Sequence, residues 1–172
     1  MNNQLIYNYK KTQRIIQLLG KPRISDLEKY NQLIIVIPKK ESKSTWNLIP
    51  QGKKIKELIK NYSKSSSPAV TSRLKNTKQT SLHIGLLDSE LDAFERLSFS
   101  RDMIKSVTQE KAGSLAIWVL GFETDFQKKF TEEILSAALV GQFILPTFKS
   151  KSPTKKITSI SLIGLHKKII TK

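Results

Sequence analysis

The run Leu33-Ile-Ile-Val-Ile37 constrains the fold more than any other segment. It offers no polar face, and β-branched residues dominate it, so a strand built from it must be buried on both sides. A sheet covered by helices on both surfaces meets that requirement. Ser114-Leu-Ala-Ile-Trp-Val-Leu120 reads as a second strand of the same type, and Thr158 to Ile163 as another. Ala69 to Leu74 and Thr80 to Leu87 form a predicted hairpin across Lys75-Asn-Thr-Lys78, which makes part of the sheet antiparallel. Between these strands lie helical patterns. Lys53 to Tyr62 turns Ile55, Leu58 and Ile59 inward, and a longer helix, capped by Asp88 or Ser89, runs to about Glu110. Leu91, Phe94, Leu97, Ile104 and Val107 are its expected inward positions. The alternation predicts a three-layer α/β/α domain around a mixed sheet.

A chain of 172 residues with 38% apolar content is long enough for one such core. Residues 1–30 read as a helical N-terminal extension: Ile15, Ile16, Leu18 and Leu19 give an apolar face that Gly20-Lys21-Pro22 breaks. A capping-box spacing, Ser25 to Glu28, suggests a short turn after it. The most apolar stretch, Ile134 to Pro146, is shorter than the ~20 residues of a membrane helix, so no membrane partner is expected. No secretory signal is recognisable at the N-terminus, and a cytoplasmic protein is expected.

The absence of cysteine excludes disulfides and thiolate chemistry. The net charge of +16 and a pI near 10.0 suit a nucleic-acid partner. Yet nearly all the cations are lysines, spread along the chain, whereas arginine is the better bidentate reader of phosphate. A solvated basic surface is therefore favoured, and a nucleic-acid-binding module is the alternative.

Glu132-Glu133-Ile-Leu-Ser-Ala-Ala-Leu-Val-Gly141 reads as a helix with acids near its start and small residues Ala137, Ala138 and Gly141 for close packing on a sheet. Pro146 stops it. With Gly141, Phe143, Leu145, Phe148, Lys149 and Ser150, followed by a basic loop and the strand to Ile163, this segment resembles the end of the N-terminal domain of leucyl aminopeptidases. The order of elements from Leu33 to Gly164 is similar to that whole domain, which is macro-domain-like. Gly85 falls near a family glycine; the two tyrosines of the family frame are replaced by Phe143 and Phe148.

The resemblance implies residues 31–164 as the N-terminal domain and residues 165–172 as the start of a linker to a catalytic domain. It implies a non-catalytic assembly or regulatory domain of a metallopeptidase that releases N-terminal amino acids from peptides. Partners would be that catalytic domain and further copies, hexameric in the family; a stand-alone adaptor of a full-length paralogue is another alternative. The two divalent metal ions (zinc or manganese) would belong to the catalytic domain.

For the chain itself, no catalytic, cofactor-binding or metal residue is expected. His83 lies in a strand and His166 in a basic tail, neither beside a nucleophile elbow. Asp88, Glu90, Asp92 and Glu95 lack the glycine and glutamate that a calcium loop needs after Asp88, and a helix start explains them. Asp125, Glu132 and Glu133 receive the same explanation. Gly20-Lys21 is no phosphate loop, and the isolated glycines offer no nucleotide cradle.

Overall fold

The computed structural model describes residues 14–18, 22–40, 43–62, 69–109, 113–141 and 157–164. Six strands form one sheet: β1 (Arg14–Leu18), β2 (Gln32–Pro38), β3 (Ala69–Arg73), β4 (Ser81–Leu87), β5 (Ser114–Val119) and β6 (Ser159–Ile163). Their spatial order is β1-β6-β5-β2-β4-β3. Only β3 runs antiparallel to its neighbour, as the hairpin predicted. The other pairings are parallel, with Ile35 of β2 opposite both Ile84 of β4 and Trp118 of β5.

Strand β2 lies near the middle of this sheet and is buried on both faces, which is why its sequence carries no polar side. Side chains alternate across the pleat. Ile34 and Val36 join Leu115, Ile117, Met103, Phe130 and Ile134 on one face. Leu33, Ile35 and Ile37 join Trp46, Ile55, Leu82, Ile84 and Trp118 on the other. Each fully buried side chain of this size stabilises by about 1.5–3 kcal/mol relative to exposure. The first face is covered by α4 (Ala93–Thr108) and α5 (Thr124–Val140), the second by α1 (Ile24–Leu27), α2 (Lys43–Leu48) and α3 (Gly52–Tyr62). The three-layer mixed architecture is as expected.

Several local expectations are corrected. Arg14–Leu18 is not helical: it is strand β1, parallel to β6, at one edge of the sheet. A five-residue segment with three apolar positions cannot by itself distinguish helix from strand, and a partner some 145 positions away decides (Arg14 pairs with Ser159). The long helix starts later than Asp88. Its N-cap is Asp92, whose side chain accepts from the Glu95 N–H at 2.8 Å while the Asp92 N–H donates to Glu95 at 3.0 Å. This is a full capping box.

That start sets the inward face as Phe99, Ser100, Met103, Ile104 and Val107, and it leaves Phe94 72% exposed. The final helix begins at Thr124, eight residues before Glu132. Glu132 and Glu133 are therefore mid-helix and do not serve its dipole; Asp125 alone is the acid of its first turn. The small residues of α5 act partly as expected. Ala138 is fully buried in the core, but a side chain at Gly141 would meet Ile104 of α4 at 3.1 Å, so this glycine serves helix–helix contact.

Candidate functional site

Two loops leave adjacent parallel strands in opposite directions. After β2 the chain passes to α2 and α3 on one face, and after β5 it passes to α5 on the other. A crevice outside the carboxyl ends of strands at such a reversal is where open α/β sheets commonly bind ligands. Here it has a volume of about 590 Å³, with a floor of Pro38, Leu87 and Phe126. Lys39 and Lys40 come from the β2 loop, Asp88 and Glu90 from the β4 loop, and Gly121 and Glu123 from the β5 loop.

Gly121 allows the loops to meet. It holds φ 83°, and a Cβ there would stand 3.1 Å from Pro38 Cδ and 3.3 Å from Thr45 Oγ1. Lys39 Nζ faces Asp88 at 3.7 Å across the crevice, in an exposed pair worth little energy. Phe122 stacks on Phe126 with ring centroids 5.0 Å apart. Charges of both signs line the space, with acids outnumbering lysines. Such a lining does not favour a phosphate, which calls for a cradle of backbone amides and net positive charge. Nothing in the sequence pattern had singled out Lys39, Lys40, Gly121 or Glu123. Their position directly after two buried parallel strands was the signal that they would converge.

The residues weighed for chemistry take structural places. His83 is fully buried in β4. Its Nε2 lies 2.7 Å from Gln32 Oε1, and Nδ1 lies 3.0 Å from Ser106 Oγ and 3.3 Å from Thr71 Oγ1. This network ties β2, β3, β4 and α4 together, and both ring nitrogens are engaged in it. Asp92 and Glu95 cap α4, while Asp88 accepts from the Glu90 N–H at 3.2 Å. Among the described residues, no group of three or more His, Asp or Glu side chains is arranged to hold a metal ion. The described residues do not fit the two-metal centre that the resemblance implies for a catalytic domain. His166, Gly20-Lys21, Phe143, Leu145, Phe148, Lys149 and Ser150 lie outside the described residues.

Glu133 has a different task from the expected one. It receives Arg96 as a fork, Nε to Oε2 at 3.0 Å and Nη2 to Oε1 at 3.0 Å. Arg96 Nη1 donates to the Leu91 carbonyl at 2.8 Å, and its guanidinium lies 5.9 Å from the Phe126 ring centre. The hydrogen bonds to Glu133 raise the Arg96 pKa above its ordinary value. This pair clamps α4 to α5. Next to it the two helices enclose an open groove of about 420 Å³, lined by Leu97, Arg101, Ile104, Ala137 and Val140. Val140 is 72% exposed at its rim.

No family model matches the sequence. No curated protein matches it either. Among solved structures the chain is similar to a mutant of tomato leucine aminopeptidase, with a TM-score of 0.65 and 12% sequence identity. The likeness covers 91% of this chain and 34% of that one. At that identity it shows the fold alone. The chain thus spans about a third of the length of that enzyme. No helix among the described residues is long and apolar enough to cross a membrane.

Proposed function

We propose that this chain serves as a non-catalytic assembly or regulatory domain, distantly related to the N-terminal domain of leucyl aminopeptidases. In this reading the peptidase chemistry, release of N-terminal amino acids from peptides with the help of two divalent metal ions, belongs to a separate catalytic domain. The single observation that carries the reading is the fold likeness, which takes in nearly all of this chain and a domain-sized part of the enzyme. The composition of the α4–α5 groove agrees with it: Leu97, Ile104, Ala137 and Val140 present an apolar surface suited to packing against another domain or a further copy.

The test is hydrolysis of leucine p-nitroanilide by the purified 172-residue chain with zinc or manganese added. No turnover above the metal-only rate is expected. Metal-dependent release of p-nitroaniline by this chain would overturn the proposal.

A further inference from the structure

The crevice at the carboxyl ends of β2, β4 and β5 carries a charge arrangement that the sheet itself fixes. The parallel ladder of β2 and β4 ends on the pair Pro38 and Leu87, and the Lys39 N–H then donates to the Leu87 carbonyl at 3.0 Å. Lys39 and Asp88, the next residue on each side, therefore leave the sheet next to one another. Their side chains meet with Lys39 Nζ 3.7 Å from Asp88 Oδ2. The other oxygen, Oδ1, accepts from the Glu90 N–H at 3.2 Å, which orients the carboxylate and leaves Oδ2 toward Lys39.

Strand order sets the wider pattern. Because β2 lies between β5 and β4, Lys39 and Lys40 stand between Glu123 of the β5 loop and Asp88 and Glu90 of the β4 loop. A simple cation meets the lysines at the centre, and a simple anion meets acids on either side. An uncharged apolar molecule would strip water from all of them. A molecule with one charge of each sign on neighbouring atoms avoids every one of these penalties. The Lys39–Asp88 pair is 59% and 41% exposed, so its members hold each other weakly and can exchange partners with a ligand. Beside them the floor of Pro38, Leu87 and Phe126 is apolar. The volume of about 590 Å³ falls within the about 300–1,000 Å³ of small-molecule sites.

We propose that this crevice binds a free α-amino acid with an apolar side chain. The ligand ammonium sits against Asp88 Oδ2 and its carboxylate against Lys39 Nζ, while its side chain lies on Leu87 and Phe126. The two charges of an α-amino acid hang from one carbon, which suits the close spacing of Lys39 and Asp88. The four charges then alternate in sign around a square. This inference goes beyond the proposed domain role and does not depend on it.

The test is titration of the isotope-labelled full chain with L-phenylalanine, followed through its amide NMR spectrum. Saturable shifts are expected at the amides of Lys39, Asp88, Gly121 and Phe122, with a Kd of about 1 mM for a ligand of this size whose charges stay partly hydrated. Hydrocinnamate lacks the ammonium, phenethylamine lacks the carboxylate, and glycine lacks the apolar side chain; each binds more than about tenfold more weakly. Asp88→Asn and Lys39→Gln each weaken L-phenylalanine about fivefold or more, whereas Asp102→Asn, outside the crevice, leaves its affinity unchanged. The same spectra report whether each variant is folded. Absence of saturable shifts by about 20 mM overturns the proposal. So does binding of hydrocinnamate or phenethylamine as tight as that of L-phenylalanine, which would make the crevice a site for a simple anion or cation. Equal affinity for L-phenylalaninamide overturns it in favour of a peptide N-terminus. Unchanged affinity in either Asp88→Asn or Lys39→Gln overturns the placement of the two charges.

Discussion

Replacing Glu133 by alanine tests how the α4–α5 layer is held. In the wild type the two side chains of the Arg96–Glu133 pair are only 10% and 15% exposed. Removal of the carboxylate leaves the guanidinium with the Leu91 hydrogen bond and the Phe126 ring, and two N–H donors face a largely dry environment. Hydrogen bonds to charged groups contribute about 1.5–3 kcal/mol, and stranding a fully buried charge costs about 3–5 kcal/mol. Residual exposure lets water reach part of the site, so the expected loss is about 2–4 kcal/mol. For a chain of this size that lowers Tm by about 4–16 °C.

Urea unfolding followed by circular dichroism measures it. Arg96→Met/Glu133→Leu, which removes both charges and keeps apolar volume, recovers most of the loss. The double-mutant cycle then returns a coupling of at least about 1 kcal/mol. A Glu133→Ala loss below about 0.5 kcal/mol, or a coupling near zero, would refute the clamp, because a surface pair behaves that way.

Three further outcomes are expected. Ser100 is fully buried and its hydroxyl has no hydrogen-bond partner among the described residues, so Ser100→Ala should stabilise by up to about 1 kcal/mol in the same unfolding assay; a clear loss would reveal a partner for that oxygen. A Cβ at Gly85 would lie 2.5 Å from Phe99 Cζ and 2.9 Å from Met103 Sδ, so Gly85→Val should cost about 1–3 kcal/mol, and an unchanged Tm would contradict this close approach of β4 to α4. Asp26 is held at a pKa of about 2, below its usual 3.8, first by the Lys29 hydrogen bond and then by Arg23. A lowered carboxylate pKa stabilises the fold above the unfolded value, and the contribution disappears as pH falls through the folded one. Asp26→Asn should therefore flatten the stability profile between pH 3.8 and about 2, and an NMR titration of Asp26 near 3.8 would show that neither cation holds it.

The strand–helix order was legible because burial on both faces demands continuous apolar runs. Leu33 to Ile37 and Leu115 to Leu120 met that demand without reference to any partner. The hairpin was legible too, since its pairing partners are close in sequence. Amphipathic α3 declared its inward side through Ile55 and Ile59. Acids near helices were less informative. Glu132 and Glu133 looked like a helix start, but a carboxylate favours a dipole or an arginine equally well, and only the approach of α4 shows that Glu133 serves Arg96.

The sequence by itself therefore determined the class of fold, the central strands and the lack of thiol chemistry, all consequences of local composition and period. Tertiary structure alone decided the rest. It made Arg14–Leu18 a strand by offering β6 as a partner, brought the loops after β2 and β5 to one crevice, and set Glu133 against Arg96. Each of those depends on pairing between distant segments, and side-chain chemistry read along the chain carries no measure of that distance.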